Sequence, residues 1–155
     1  MVTVSTSRHS KMKDGEEYTD EGGDRAETEV KKSGNVVTSR RLVSDDVGML
    51  QKEVRSFLKG KDDVLVLTGG TGVSSRDVTI ETVKPFFQKE LDGFGELLRR
   101  LSFDEIGTAA FLTRATLGVT NGKLILCLPG SPGAVKTAMR AFASELPHVV
   151  YVARS

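Results

Sequence analysis

A glycine-rich turn in the middle of the chain has the residue types that bind anions. It follows the apolar run of residues 64–67 and contains Gly69, Gly70, Thr71, Gly72 and Ser74. Glycine lets backbone N–H groups approach phosphate oxygens, and the Thr and Ser hydroxyls add donors. The turn has neither the Lys of a Walker loop nor the G-x-G-x-x-G dinucleotide pattern. It therefore predicts an anionic ligand of another kind, with a tight strand-to-helix connection as the alternative.

A second glycine turn follows another apolar run. Residues 124–128 are apolar without interruption, and Pro129, Gly130, Ser131 and Pro132 come directly after them. Gly130 permits close approach of a ligand and Ser131 supplies a hydroxyl, although a rigid proline turn leading into a helix explains the same residues. Ligands bind at the carboxyl ends of parallel strands, so the two turns could form one pocket at one edge of a sheet.

Two aspartates could serve this pocket. Asp45 precedes a segment of helical period, and Asp77 closes the first glycine turn. One or both could hold Mg²⁺, which proteins bind through one or two carboxylates together with substrate phosphates. The alternative role is helix capping or, for Asp77, an ion pair with Arg76. Spacing along the chain does not choose between these roles.

Alternating strands and helices must position these residues. The apolar runs 64–67 and 124–128 are typical of strands buried on both faces, and residues 1–4 and 36–37 are weaker strand candidates. Helical spacing of apolar residues predicts one helix over 47–58, capped by Ser44 or Asp45 and stopped by Gly60. It predicts another over 132–146, entered through Pro132 and closed by Pro147. This order predicts an α/β fold with a parallel sheet covered by helices.

The remaining segments have weaker patterns. Residues 21–33 are expected to form the first helix, and the polar residues 9–23 read as a long loop. Residues 78–101 are predicted to be largely helical, with breaks at Pro85 and at residues 93–95. The core is favoured over an interface for four phenylalanines, Phe86, Phe87, Phe94 and Phe111.

Composition limits the classes of protein. The 155 residues fit one domain, and a net charge of +1 lacks the basic surplus that nucleic-acid binding favours. No apolar stretch approaches the roughly 20 residues of a membrane span, and no signal peptide is recognisable. Cys127, the only cysteine, is expected to be a buried inert thiol, which suits a reducing cytoplasm. His9 and His148 lack neighbouring metal ligands and are expected at the surface.

Four motifs together resemble a known family. LTGGTG (residues 67–72), RDVT (76–79), GFGE (93–96) and LPGSP (128–132), in this order and spacing, are similar to the MoaB/MogA family, whose molybdopterin-binding domain also forms the G domain of gephyrin. The resemblance is close over residues 41–151 and weaker near the amino end. It implies a three-layer α/β/α sandwich with a mostly parallel sheet, assembled as homo-trimers or hexamers.

The resemblance also implies a reaction, molybdopterin adenylyl transfer. The terminal phosphate of molybdopterin attacks the α-phosphate of ATP, pyrophosphate leaves, and the product passes to a metal-insertion partner. The family's two important aspartates fall on Asp45 and Asp77, which would serve Mg²⁺ and phosphate positioning. The turns at residues 69–72 and 130–131 would line the pocket together with Ser5. Thr6 departs from the pattern, because many members have an aspartate there.

Two other functions are compatible with the sequence. A non-catalytic molybdopterin-binding or scaffold protein of the same pathway would keep the glycine turns but would not need Asp77. A different nucleotide-processing enzyme of the same fold, such as the related domain of competence-damage proteins, would usually carry an additional domain. Loss of transfer on Asp77→Asn, with folding preserved, would favour the adenylyltransferase.

Overall fold

A computed structural model describes residues 1–155 of the chain, and six strands form its single sheet. The strands are β1 (Val2–Val4), β2 (Arg41–Val43), β3 (Val64–Thr68), β4 (Lys89–Glu90), β5 (Thr116–Thr120) and β6 (Lys123–Leu128). The α-helices are α1 (Thr6–Lys13), α2 (Glu21–Lys32), α3 (Val47–Lys59), α4 (Thr79–Val83), α5 (Asp92–Ile106), α6 (Pro132–Phe142) and α7 (Leu146–Arg154). Short 3₁₀ helices cover Lys84–Phe86 and Gly107–Leu112. None of the helices combines the length and apolar character needed to cross a bilayer.

The sheet is mostly parallel, as the sequence predicts. Its strand order is β2-β1-β3-β6-β5-β4, and the first four strands in this order run parallel to one another. β5 is antiparallel to β6, and β4 is antiparallel to β5. Asn121 and Gly122 both have positive φ, as a two-residue turn between antiparallel strands requires. Because β2, β1, β3 and β6 run parallel, their carboxyl ends all lie at the same edge of the sheet.

Helices cover both faces of the sheet. Alternate residues of β3 point to opposite sides, so Leu65 and Leu67 pack with α3 and α4, whereas Val66 packs with the other helices. The second face is covered by α2, α5, α6 and α7. This arrangement confirms the three-layer α/β/α sandwich. Cys127 is buried in the sheet as expected, and burial raises the pKa of its thiol.

The amino-terminal part differs most from expectation. Residues 6–13, whose polar composition predicts a loop from residue 9, form α1. Ser5 caps this helix, because its hydroxyl accepts a hydrogen bond from the Arg8 N–H. One side of α1 faces inward, so His9 is buried and the expectation that it lies at the surface is wrong, whereas His148 is exposed. The helix over residues 21–33 exists as α2 and is the second one.

Three other boundaries differ as well. Residues 36–37 form no strand, and the second strand is β2 at Arg41–Val43. The N-cap of α3 is Asp46 and not Ser44 or Asp45, because the Asp46 carboxylate accepts the Met49 N–H at 2.8 Å. Pro147 does not close α6, which ends at Phe142; it lies instead in the first turn of α7, where its missing N–H costs nothing.

The structure confirms some of the predictions for the segment 78–101 and for the four phenylalanines and contradicts others. Pro85 does end a helical stretch, but residues 93–95 lie in the first turn of α5 and the strand β4 precedes them. Phe94 is buried as expected, and its ring centroid lies 4.9 Å from that of Phe142. Phe86 and Phe87 are half-buried. Phe111 is 77% exposed, so its assignment to the core is wrong.

Candidate functional site

The carboxyl ends of the four parallel strands open into one cleft of about 520 Å³. Residues that follow β1, β2, β3 and β6 all line it, as expected for ligand sites of parallel sheets. Nine of the ten site residues predicted from the sequence lie in its walls, namely Ser5, Asp45, Gly69, Gly70, Thr71, Gly72, Ser74, Asp77 and Gly130. Ser131 is the exception. The structure brings these residues together, and their roles stay predictions.

The first glycine turn passes very close to its neighbours. Gly69 has φ +102°, and a Cβ there would lie 2.3 Å from the Val4 carbonyl oxygen. Gly70 has φ +63°, and its Cβ would lie 2.5 Å from Asp45 Oδ1 and 2.4 Å from Thr79 Oγ1. Only glycine fits both the conformation and the space. The turn can therefore bring its backbone against a ligand and against the Asp45 carboxylate.

The same turn offers free backbone donors. The N–H groups of Gly70, Thr71 and Gly72 donate to no acceptor within the chain. Free backbone N–H groups in such a turn are suited to bind phosphate oxygens. The Thr71 side chain is buried, whereas Ser74 is exposed at the rim of the turn. A purely connecting turn at the surface would leave the same donors to water, so the binding of an anion by this turn stays a prediction.

Asp45 is held by the first turn of α1. Its Oδ2 accepts hydrogen bonds from the Thr6 N–H and the Thr6 hydroxyl, both at 2.9 Å. Its Oδ1 has no hydrogen-bond partner and lies against Gly70. The expectation that Asp45 caps α3 is wrong, but Asp45 does accept the first N–H of α1, a capping contact from a distant part of the chain. One carboxylate oxygen remains available to a ligand.

Asp77 has a comparable arrangement at the end of the turn, near Gly72. Its Oδ2 accepts the Ser74 N–H at 3.0 Å, and its Oδ1 has no hydrogen-bond partner. A Cβ on Gly72 would lie 2.8 Å from Asp77 Oδ2, which shows how closely this carboxylate follows the turn. Asp77 neither caps α4 nor forms an ion pair with Arg76. Both alternatives for Asp77 are therefore wrong.

Asp45 and Asp77 have the donor chemistry that would suit a magnesium ion bound together with substrate phosphates. Each offers one unengaged hard oxygen at the cleft, which is the donor type that Mg²⁺ prefers. The structure contains no group of three or more His, Cys, Asp or Glu side chains placed to hold a metal. A site of one or two carboxylates suits a cation that reaches the protein together with phosphates and keeps several waters.

The second glycine turn also lines the cleft, through Pro129 and Gly130. A Cβ on Gly130 would lie 3.1 Å from Gly69 Cα, so the two turns are in contact. Ser131 precedes α6 as its N-cap residue, without a side-chain capping bond, and lies outside the cleft. Ser5 lies in the wall as the N-cap of α1, with its hydroxyl 3.3 Å from that of Ser7.

Three arginines in the cleft were missed by the sequence reasoning as site residues. Arg8 lies in α1 and Arg76 in the glycine turn, and neither forms an ion pair. Arg114 donates to the Gly72 carbonyl at 2.7 Å and pairs with Glu81, which lowers the pKa of that carboxyl group. Arg8 was missed because α1 was not predicted. Arg114 was missed because it precedes β5, a strand that was not predicted either.

The fold and the cleft define an α/β protein with a site suited to phosphate-bearing ligands. A family model described as a probable molybdopterin binding domain matches residues 1–148. The probable molybdopterin adenylyltransferase of Methanocaldococcus jannaschii is 38% identical over 151 residues, which cover 97% of this chain and 90% of that protein. The molybdenum cofactor biosynthesis protein B of Staphylococcus aureus is 46% identical over 112 residues, covering 71% of this chain and 67% of that protein.

Solved structures give the same result. The tungsten cofactor synthesizing protein MoaB from Pyrococcus furiosus is similar with a TM-score of 0.85 and 39% sequence identity, over 99% of this chain and 94% of that one. The chain belongs to the MoaB/MogA family of molybdopterin-binding domains, and so to molybdenum or tungsten cofactor biosynthesis. The resemblance found in the four sequence motifs is thereby confirmed.

Proposed function

We propose that this protein binds molybdopterin and transfers AMP to it from a magnesium complex of ATP. A terminal phosphate oxygen of molybdopterin attacks the α-phosphorus, a new P–O–P linkage forms, and the bond to the β-phosphate breaks. Pyrophosphate carries away the leaving electron pair, and adenylylated molybdopterin passes to a metal-insertion protein. The reaction needs no covalent nucleophile from the protein, because alignment and charge neutralisation supply most of the catalysis.

One observation carries this proposal. Two carboxylates with a free oxygen each, Asp45 and Asp77, lie against a glycine turn that has unpaired N–H groups. A site for a simple anion would need the N–H groups but would gain nothing from two negative charges in the same cleft. A site for a metal–phosphate complex needs both.

Each part of the cleft has a task in this reaction. The N–H groups of the turn at Gly70 and Gly72 bind phosphate oxygens. Arg8 and Arg76 have no carboxylate partner, so their charges are available to the phosphates and to the departing pyrophosphate. Magnesium, when bound, would neutralise charge on the phosphates beside Asp45 and Asp77. Arg114, which also lines the cleft, holds the turn through the Gly72 carbonyl.

The first experiment measures pyrophosphate release from ATP and Mg²⁺, with and without molybdopterin. We expect release that depends on molybdopterin, and we expect Asp77→Asn to reduce it at least about 100-fold, because a metal contact contributes several kcal/mol to the transition state. The matched control is Asp62→Asn, since Asp62 lies before β3, at the opposite end of that strand. It removes the same charge from the same residue type away from the cleft.

The outcomes separate the enzyme from a binding protein. Molybdopterin binding without pyrophosphate release would support the alternative, a non-catalytic molybdopterin-binding or scaffold protein. Release that Asp77→Asn leaves unchanged would remove this residue from the mechanism. A circular dichroism spectrum of each variant shows that the charge, and not the fold, has changed.

We also propose that the chain forms a homo-trimer, or a hexamer built from trimers. α5 and the following 3₁₀ helix expose several large apolar side chains, which favours an interface with another chain. These side chains are between 51% and 77% exposed and belong to Leu97, Phe103, Ile106, Phe111 and Leu112. A second copy of the chain would remove this surface from water.

A further inference from the structure

A closed set of hydrogen bonds joins the start of α1 to Asp45. The Thr6 hydroxyl lies 2.9 Å from Asp45 Oδ2, 3.2 Å from the Asp45 backbone nitrogen and 2.9 Å from the Ser44 hydroxyl. The Thr6 N–H also donates to Asp45 Oδ2 at 2.9 Å. Residues that follow two neighbouring strands, β1 and β2, are thereby tied together at the cleft.

The geometry assigns a direction to every one of these bonds. A hydroxyl has one hydrogen to donate and two lone pairs that accept. The Thr6 hydroxyl must donate to the Asp45 carboxylate, which has no hydrogen, and must accept from the Asp45 N–H. The remaining lone pair accepts from Ser44, so all three positions of the Thr6 hydroxyl are used.

The two oxygens of Asp45 are consequently unequal. Oδ2 accepts two hydrogen bonds from Thr6, and Oδ1 accepts none. Oδ1 lies beside Gly70, in the turn whose N–H groups are free. The carboxylate cannot rotate without breaking both bonds to Thr6.

We propose that Thr6 is a positioning residue that fixes the Asp45 carboxylate so that Asp45 contacts a divalent cation through Oδ1 alone. This inference rests on the proposed function, because that function supplies the cation. Thr6 does not touch the cation or the reacting phosphates. It acts by holding the Oδ1 atom next to the glycine turn.

The residue type at position 6 suits this task. An ionised aspartate there has no hydrogen to donate, and it would place a second negative charge beside Asp45 Oδ2. The threonine hydroxyl holds Asp45 without adding charge. The cleft therefore presents Asp45 and Asp77 as its two carboxylates instead of three.

The test is the binding of Mn²⁺ to the purified protein in the presence of ATP, measured as the loss of the electron paramagnetic resonance signal of free Mn²⁺ beyond the loss that the same ATP causes without protein. We expect Thr6→Val to weaken binding about tenfold, the equivalent of one hydrogen bond to a charged group. Thr6→Ser keeps the hydroxyl and should bind within about twofold of the wild type on the same scale. Thr6→Ala removes the hydroxyl without a branched side chain and should match Thr6→Val.

The matched control is Thr28→Val, because Thr28 is an exposed threonine of α2 whose hydroxyl bonds only to the Asp24 carbonyl of the preceding turn. It should leave Mn²⁺ binding unchanged. Thermal unfolding of each variant separates a lost contact from a lost fold. Because Thr6 and Thr28 are both exposed, we expect the three Thr6 variants and the Thr28→Val control to fold.

Three results would overturn the inference: no Mn²⁺ binding by the wild type, unchanged binding by Thr6→Val and Thr6→Ala, or a loss in Thr6→Ser as large as that in Thr6→Val. The pyrophosphate assay on the wild type keeps the two proposals apart. Absent pyrophosphate release together with Mn²⁺ binding that depends on the Thr6 hydroxyl would reject adenylyl transfer and support the role of Thr6.

Discussion

Replacing Gly70 with alanine tests whether the glycine turn is built to approach Asp45. Gly70 has φ +63°, where any residue with a Cβ is strained, and the added methyl group would lie 2.5 Å from Asp45 Oδ1. It would also lie 2.4 Å from Thr79 Oγ1. Both neighbours must move, because these distances are far below a normal contact between non-bonded atoms.

The loss of stability can be worked out from two contributions. The left-handed conformation costs alanine about 1–2 kcal/mol. The Thr79 hydroxyl donates to the Gly69 carbonyl at 2.9 Å in a buried position. Moving it leaves a buried acceptor unpaired, which costs about 1–3 kcal/mol. We therefore expect Gly70→Ala to lower the free energy of unfolding by about 2–5 kcal/mol.

Gly34→Ala provides the control for backbone strain. Gly34 has φ +81°, and nothing lies within 4 Å of a Cβ placed there. It should lose only the strain energy of about 1–2 kcal/mol. The assay is urea unfolding followed by far-ultraviolet circular dichroism, since the chain has no tryptophan to report by fluorescence. Equal losses in the two variants would refute the reasoning, because the contacts of Gly70 would then contribute nothing.

Two further predictions concern the surface of the molecule. Burial opposes ionisation of Asp20, but hydrogen bonds from Thr3, Gly23 and Arg40 outweigh it and lower the pKa of Asp20. The ionised Asp20 therefore stabilises the folded protein at any pH above the pKa that Asp20 has in the unfolded chain. This contribution to the free energy of unfolding is lost as the pH falls through the lower pKa of Asp20 in the folded protein. Arg40→Met should therefore cost about 1–2 kcal/mol at pH 7, with a smaller difference from wild type below about pH 4, as measured by urea unfolding across pH. Phe111→Glu should reduce the mass measured by light scattering from that of a trimer to that of a monomer. The control Val36→Glu, on an exposed loop, should leave the mass of the trimer unchanged. A Phe111→Glu variant that is still trimeric would contradict the proposed interface.

The sequence predicts best those elements that are held by apolar burial. β3 and β6 are uninterrupted apolar runs, and α3 buries Leu50, Val54 and Phe57 at helical spacing, so their positions were found within a few residues. Because the turns after β3 and β6 carry the glycines, predicting these two strands was enough to bring seven of the nine site residues to one edge. Ser5 and Asp45 follow β1 and β2, and β2 was not predicted at its observed position.

Elements held by polar contacts were not predicted. α1 has no apolar stripe, and it is stabilised by the Ser5 cap and by the contact of Thr6 with Asp45, which is 39 residues away in the sequence. Such long-range hydrogen bonds leave no periodic signal. The β5–β6 hairpin does have a local signal in the Asn121-Gly122 pair, which lies between the alternating residues 116–120 and the apolar run 124–128. The absence of α1 and β5 from the prediction explains why Arg8 and Arg114 were missing from the predicted site.

The direction of β5 explains how Arg114 reaches a cleft formed by strand ends. The parallel strands contribute residues that follow them, because their carboxyl ends lie at the cleft edge. β5 runs antiparallel to β6, so its amino end lies at that edge, and the residue that can reach the cleft must precede the strand. Arg114 lies two residues before Thr116 and donates to the Gly72 carbonyl. The one antiparallel neighbour of the parallel strands therefore supplies a cation that supports the glycine turn at Gly72, whereas Asp45 lies against it at Gly70.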